Sequence, residues 1–237
     1  MIQGIIFDMD GVLIDSHSVH RHAWCRFLET VGKKVSNHDL DFILEGRRRE
    51  EILRHFLGEL PASSIAEYGR LKDKFFEENF GRIKLIPGVR RFLDMLEILN
   101  LKTGIATSAS SSRTFGTLHR LKLDKRFATV VTGDDVLAGK PDPAVYRLAS
   151  ERMKILPQML LALEDAPCGV EAAKSAGIRC VGVTHNGRAE ALREAGAECV
   201  IPDFVGLSVD KLNQLCNSTD AGTLEPLGRI KARPRTY

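Results

Sequence analysis

Asp8-Met9-Asp10-Gly11-Val12-Leu13-Ile14-Asp15-Ser16 follows directly on a short apolar run, Ile2 to Phe7, and the reading of this junction decides the fold. Apolar and β-branched residues on consecutive positions mark a strand buried on both faces of a parallel sheet, not one with a wet side. Asp8 and Asp10 then lie at the strand's carboxyl end. That edge of an open α/β sheet is where ligands bind, so two acids placed there point to a site.

Past Ser16 the periodicity changes. Val19, Ala23, Phe27, Leu28 and Val31 recur at helical spacing, and Gly32 closes the segment. Asp15 and Ser16 read as its N-caps. From 36 to 81 the apolar residues keep helical spacing, through Ile43 and Leu44, Ile52 and Leu53, then Ile65, Tyr68, Leu71, Phe75 and Phe76. Residues 16–85 therefore form a small all-helical insertion, closed by the turn signal Pro87-Gly88. Beyond it helix and strand alternate. The expected helices are Val89 to Leu99, Ser112 to Leu121, Pro143 to Met153, Gly169 to Ala176 and Ala189 to Glu194. The expected strands are Lys102 to Thr107, Thr129 to Thr132, Leu160 to Glu164, Arg179 to Val183 and Cys199 to Ile201. Such alternation implies an α/β fold: a doubly wound parallel sheet, Rossmann-like, built from 1–15 and 86–216. Asn217 to Tyr237 is polar and aperiodic and reads as a loose tail, its basic end Arg229 to Arg235 included.

Composition narrows the function classes. With 237 residues and 43% hydrophobic content, the chain can bury a full core. A net charge of +3 is too weak to argue for nucleic acid and suits a small anionic substrate. Five cysteines, an odd number without C-x-x-C spacing, suggest neither a disulfide framework nor zinc, and a reducing cytoplasm fits them. Cys180 and Cys199 read as small buried hydrophobes. The first apolar run is too short for a signal peptide or a membrane span. The expectation is a cytoplasmic protein without membrane or nucleic-acid partners, a monomer or small homo-oligomer.

Polar residues of complementary kinds mark four strand ends. The first carries Asp8 and Asp10; the second ends in Thr107-Ser108-Ala109; Gly139-Lys140-Pro141-Asp142-Pro143 precedes a helix; the fourth ends in Glu164-Asp165. Carboxylates gathered at one edge repel unless a divalent cation sits among them, and an all-oxygen site with room for phosphate suits Mg²⁺. Mg²⁺, Lys140 and the Ser108 hydroxyl would then offset the charge on a transferring phosphoryl group.

In this order the motifs D-x-D-G-x-x-x-D-S, a hydroxyl-ended second strand, G-K-P-x-P and E-D resemble the haloacid dehalogenase superfamily over residues 1 to 205. D-x-D alone is common, but four ordered motifs are specific. The resemblance implies that Asp8 is a nucleophile forming an aspartyl-phosphate and that Asp10 transfers the proton. It implies metal ligands at the Asp8 carboxylate, the Asp10 carbonyl and Asp165, with Glu164 adjacent or direct. Ser108, Lys140 and backbone amides near Gly11 and Ala109 would hold phosphoryl oxygens. The helical insertion resembles the family's cap, hinged at Asp15-Ser16 and Pro87-Gly88 and selecting the substrate.

Within the cap, Arg47, Arg48 and Arg49 oppose the dipole of the helix they begin and read as awaiting an anion. Gly46 with Arg49-Glu50, and His20 with Trp24, resemble β-phosphoglucomutases and related sugar phosphatases, in which a histidine orients the acid–base aspartate. Lys72 and Lys74 read as exposed helical lysines. The function expected is a magnesium-dependent phosphatase of a small phosphorylated metabolite, a sugar phosphate in the first reading. A β-phosphoglucomutase-type mutase is the alternative, set back because Ser110, Ser111 and Ser112 stand where that subgroup has a lysine. A non-catalytic binding protein and a phosphonate hydrolase are weaker readings: no motif residue is lost, and no cap lysine stands out as a Schiff base.

Overall fold

A computed structural model describes residues 2–184 and 187–217. In chain order the core elements are β1 (Gly4–Phe7), α5 (Val89–Ile98), β4 (Lys102–Ala106), α6 (Ser111–Arg120), β5 (Thr129–Val131), α7 (Ala144–Met153), β6 (Leu160–Glu164), α8 (Pro167–Ser175), β7 (Arg179–Val183), α9 (Ala189–Glu194), β8 (Cys199–Ile201) and α10 (Val209–Asn217). Between β1 and α5 lie β2 (Ile14–Asp15), α1 (His17–Thr30), α2 (Asn37–Ile43), α3 (Arg49–Leu57), α4 (Ala62–Glu78) and β3 (Lys84–Leu85).

The six core strands pair in parallel in the order β5-β4-β1-β6-β7-β8. Chain order reverses on either side of β1, so its carboxyl end is the switch point of the sheet. β1 is wholly buried, with Ile5 and Phe7 in one apolar cluster and Ile6 in another. Those clusters lie on its two faces, as period-2 alternation requires. Phe7 meets Phe92 and Phe127 edge-on at 6.2 and 6.1 Å between ring centres, which fixes the strand against α5. In α5 the buried residues Val89, Phe92, Leu93 and Leu96 form a single stripe.

The cap is held by the apolar face of α1, Val19, Ala23 and Phe27, packed with Phe75 and Phe76 of α4 in the same cluster as Phe7. Chain connection between the layers runs through an antiparallel ribbon in which Ile14 pairs with Leu85 and Asp15 with Lys84.

Several expectations change here. Ser16 occupies the N-cap position of α1 but makes no side-chain cap, because its hydroxyl is used elsewhere, and Asp15 is an exposed strand residue. Pro87-Gly88 is anchored: the Pro87 carbonyl accepts from Phe204 N–H at 3.0 Å, and Gly88, at φ 84°, lies where a Cβ would come within 2.4 Å of the Phe204 backbone. Cys180 is buried, but Cys199 on edge strand β8 is half-buried. Helix α10 was not expected, and it takes in Asn217, the first residue of the expected tail; 218–237, including Arg229 to Arg235, lie outside the described residues. Among the described residues no helix is long and apolar enough to cross a membrane.

Candidate active site

Register brings the acids together. Phe7 pairs with Ile105 on one side and Leu163 on the other, so the next residues, Asp8, Ala106 and Glu164, stand abreast at the carboxyl edge. Lys140 reaches them from the loop before α7. Its ammonium, 1% exposed, donates to Asp8 Oδ1 at 2.6 Å, Glu164 Oε1 at 2.5 Å and the Ala106 carbonyl at 3.0 Å. All three of its protons have acceptors. Burial opposes that charge, but Asp8 and Glu164 outweigh it and hold Lys140 above the ordinary lysine range. Glu164 also accepts from Tyr146 Oη at 2.6 Å and from the Asp165 N–H at 3.2 Å. Both its oxygens are engaged, so in this arrangement Glu164 anchors Lys140.

Burial raises the Asp8 carboxyl well above its usual range; Lys140 opposes the shift and Glu164 and Asp165 add to it. Oxygens of Asp8, Glu164 and Asp165 lie within 4.8 Å of one another, and all three residues are buried. At an effective dielectric of about 20, each such pair repels by roughly 3 kcal/mol or more. Three carboxylates face one ammonium, and the donors are all oxygen, so the residues fit a hard divalent cation. His17 supplies part of the balance: its Nε2 lies 2.8 Å from Asp165 Oδ2. Burial lowers the His17 pKa, yet Asp165 outweighs burial and the net shift is upward. Gly11, at φ 79°, permits this crowding, since a Cβ there would fall 2.1 Å from Asp165 Oδ2.

Asp10 turns the other way and is not among the grouped carboxylates. Its Oδ1 accepts from Ser16 Oγ at 2.6 Å and lies 3.1 Å from His20 Nε2; Arg113 donates to Oδ1 at 3.0 Å and to Oδ2 at 2.7 Å. The tautomer of His20 follows from its other nitrogen. Lys72 Nζ sits 3.3 Å from Nδ1 and is a donor only, so Nδ1 accepts and the proton on Nε2 donates to Asp10. Burial, then the Lys72 charge, lower His20 to about 3 and leave it neutral. For Asp10, burial raises the carboxyl, but Arg113 and His20 together outweigh it and hold it well below the usual range. Asp10 is here an ionised base.

Lys72 corrects the sequence reading: it is buried, while Lys74 is exposed as expected. Lys72 follows Ile65 and Tyr68 and precedes Phe75 and Phe76 at helical spacing, and Arg113 shares the buried stripe of Thr114, Thr117 and Leu118. A charge in line with an apolar stripe was the available signal for Lys72, whereas Arg113, beside two threonines and Leu118, offered none. Asp73 was also missed. It lies 3.1 Å from Arg49 and 3.4 Å from Lys72, and Ser110 Oγ donates to it at 3.4 Å.

The arginines diverge. Arg47 and Arg49 line a cavity of about 90 Å³ with Asp8, Asp10, His20 and Ser108. Arg48 points away and donates to the Leu137 carbonyl at 2.7 Å, because Glu50, 3.3 Å from it, and the core loop give it partners outside. Nor are the other two unpaired: Arg47 donates to Glu45 at 2.8 Å and Arg49 to Asp73. Ser108 Oγ donates to the Gly46 carbonyl at 2.7 Å. The Gly11 N–H donates to Ile14 O at 2.7 Å and the Ala109 N–H to Thr107 Oγ1 at 3.2 Å, since each closes its own turn. A cleft of about 860 Å³ between α4 and α6 adjoins the cavity and shares Arg49, Asp73, Ser110 and Arg113 with it.

A family model described as "Haloacid dehalogenase-like hydrolase" matches residues 5–183. The chain is 37% identical over 206 residues to a "Phosphorylated carbohydrates phosphatase" of Thermotoga maritima, covering 84% of this chain and 94% of that protein. It is 30% identical to "Beta-phosphoglucomutase" of Bacillus subtilis, covering 90% of this chain and 95% of the relative. A crystal structure of β-phosphoglucomutase from Clostridium difficile shares the fold, with a TM-score of 0.81 and 24% identity over 92% of this chain and 98% of that one. The ordered motifs, the parallel sheet with its helical cap and the matched span agree, and the chain belongs to the haloacid dehalogenase-like hydrolases.

Proposed function

We propose that the protein is a phosphatase of small phosphorylated carbohydrates that works through an aspartyl-phosphate on Asp8 and requires Mg²⁺. The observation that carries this reading is the unlike treatment of two acids two residues apart. Asp8 lies in a carboxylate cluster with a buried ammonium, and Asp10 in a separate nest of donors.

Asp8, Asp165 and the Asp10 carbonyl would hold Mg²⁺, with Glu164 beside them. Bound there, the cation would neutralise the clustered carboxylates and the charge on the phosphoryl oxygens. Lys140 holds the Asp8 carboxylate in place. An Asp8 oxygen attacks phosphorus, the bond from phosphorus to the ester oxygen breaks, and Asp10 gives that oxygen a proton. An incoming phosphate adds negative charge near Asp10 and raises its affinity for the proton it must deliver. In the second half Asp10 takes a proton from water, the water oxygen attacks phosphorus, and the bond to Asp8 breaks to release phosphate. Arg49 and Arg47 face the cavity from the cap and suit an anionic substrate.

Asp8→Asn is expected to abolish hydrolysis of p-nitrophenyl phosphate, and Asp10→Asn to slow it by about a hundredfold or more. Appreciable turnover by the first variant would overturn the nucleophile. The mutase reading is favoured by the Bacillus subtilis relative. Incubation with β-glucose 1-phosphate separates the two: a phosphatase yields free phosphate, a mutase glucose 6-phosphate.

A further inference from the structure

Arg113 belongs to none of the motifs, yet it makes the most directed contact to Asp10. Its guanidinium, on the buried face of α6, meets both carboxylate oxygens, at 3.0 and 2.7 Å, in the two-pronged geometry that fixes the plane of a carboxylate. Ser16 and His20 hold Oδ1 alone, whereas Arg113 is the donor to Oδ2. The guanidinium carbon lies over the Phe76 ring at 5.1 Å, and Nη1 is 3.3 Å from His20 Nε2. Phe76 and His20 belong to cap helices, while Arg113 and Asp10 are core residues. Cap side chains thus pack against the two-pronged pair. Lys72 Nζ lies over Phe76 and Trp24 at 5.0 and 5.6 Å and is 3.3 Å from His20 Nδ1, the nitrogen that faces away from Asp10.

We propose that Arg113 is the positioning residue of the proton-transferring carboxylate: with the cap seated, it sets the plane and place of Asp10, and it acts on the reaction through Asp10 and not by binding the phosphate. The inference rests on the role given to Asp10 above. It also separates Arg113 from Arg49, which has Asp73 as its near partner and faces the cavity.

Arg113→Met and Arg113→Lys, each also made in an Asp10→Ala background, test it with p-nitrophenyl phosphate and glycerol 2-phosphate as substrates. Losing the orientation of a reacting group costs about 10- to 100-fold. Arg113→Met is expected to lower kcat by that amount with KM within about twofold, and Arg113→Lys to recover part of it. The loss in kcat/KM is expected to be larger for glycerol 2-phosphate, whose alkoxide needs the proton, than for the nitrophenolate, which leaves without one. In the Asp10→Ala background Arg113→Met is expected to change the rate less than about twofold. A rise in KM at constant kcat would make Arg113 a substrate anchor and overturn the proposal. So would an equal loss for both leaving groups, or an equal loss in both backgrounds. If Arg113→Met does not give a cooperative thermal transition, Arg113→Lys carries the comparison of leaving groups alone. Wild-type turnover by Asp10→Ala would instead refute the acid–base role itself, whatever Arg113 does.

Discussion

Burial among Trp24, Phe76 and the Arg113 charge lowers the Lys72 ammonium to about 8, against the opposing pull of Asp73. In the unfolded chain a lysine titrates near 10.4, so between these pH values the unfolded state binds more protons and stability rises with pH. Below pH 8 Lys72 is charged in both states and its penalty is complete. Lys72→Met is therefore expected to be most favourable relative to wild type at pH 7. That difference should shrink by on the order of 2 kcal/mol by pH 10, as read from urea unfolding of both proteins. A constant difference would mean that Lys72 titrates normally. At this scale the motif residues Asp8, Asp10, Glu164 and Asp165 were legible because each ends or closely follows a strand whose apolar pattern is plain, and Lys140 because its Gly-Lys-Pro-Asp-Pro turn precedes a helix. Lys72 and Arg113 were not, because a charged residue within an amphipathic stripe counts toward exposure unless its partner, far away in sequence, is known. His20 was readable only through resemblance; its pairing with Asp10 rests on a helix–core contact that no local pattern encodes.

Buried parallel strands announce themselves as elements: β6, β7 and β8 run over the residues their apolar runs mark. Two-residue strands have no period to detect, so the β2–β3 ribbon between core and cap was invisible in the sequence. Where α5 begins, sequence and structure agree on a turn but differ on its use. Gly88 brings the helix start against the Phe204 backbone at a φ that side chains resist. Gly88→Ala is expected to destabilise the protein by about 1–3 kcal/mol, through the strained φ and the displaced Phe204 segment. The measurement is the midpoint of chemical denaturation, and an unchanged midpoint would show that the segment yields without cost.

Across the whole molecule one apolar cluster joins cap and core, and besides the side-chain pairs already described, such as His20 with Asp10 and His17 with Asp165, side chains meet backbone carbonyls across the boundary: Arg48 at Leu137 O at 2.7 Å, Arg188 at Leu44 O at 3.0 Å and Ser108 at Gly46 O at 2.7 Å. Losing the Arg48 contact removes about 1 kcal/mol from the seated arrangement. Arg48→Ala is then expected to lower kcat/KM about fivefold with little change in thermal midpoint. On the core side, Mg²⁺ at 100 times its dissociation constant is expected to stabilise the fold by about 2.7 kcal/mol, and a chelator to reverse it. A thermal midpoint indifferent to both would remove the cation from the carboxylate cluster. The topology was readable because alternating elements leave few ways to wind a sheet. The seating of the cap was not, since it rests partly on carbonyls, which every residue has, and partly on side-chain pairs distant in sequence.

One of those contacts sets a competition. A serine hydroxyl carries a single proton, and both the Gly46 carbonyl and a phosphoryl oxygen can only accept it. If Ser108 greets the phosphate as its motif suggests, the cap must surrender that proton, and when phosphate departs the carbonyl reclaims it. Occupancy of the core and grip of the cap at Gly46 would then trade places at one atom, so inorganic phosphate alone should loosen this corner of the cap.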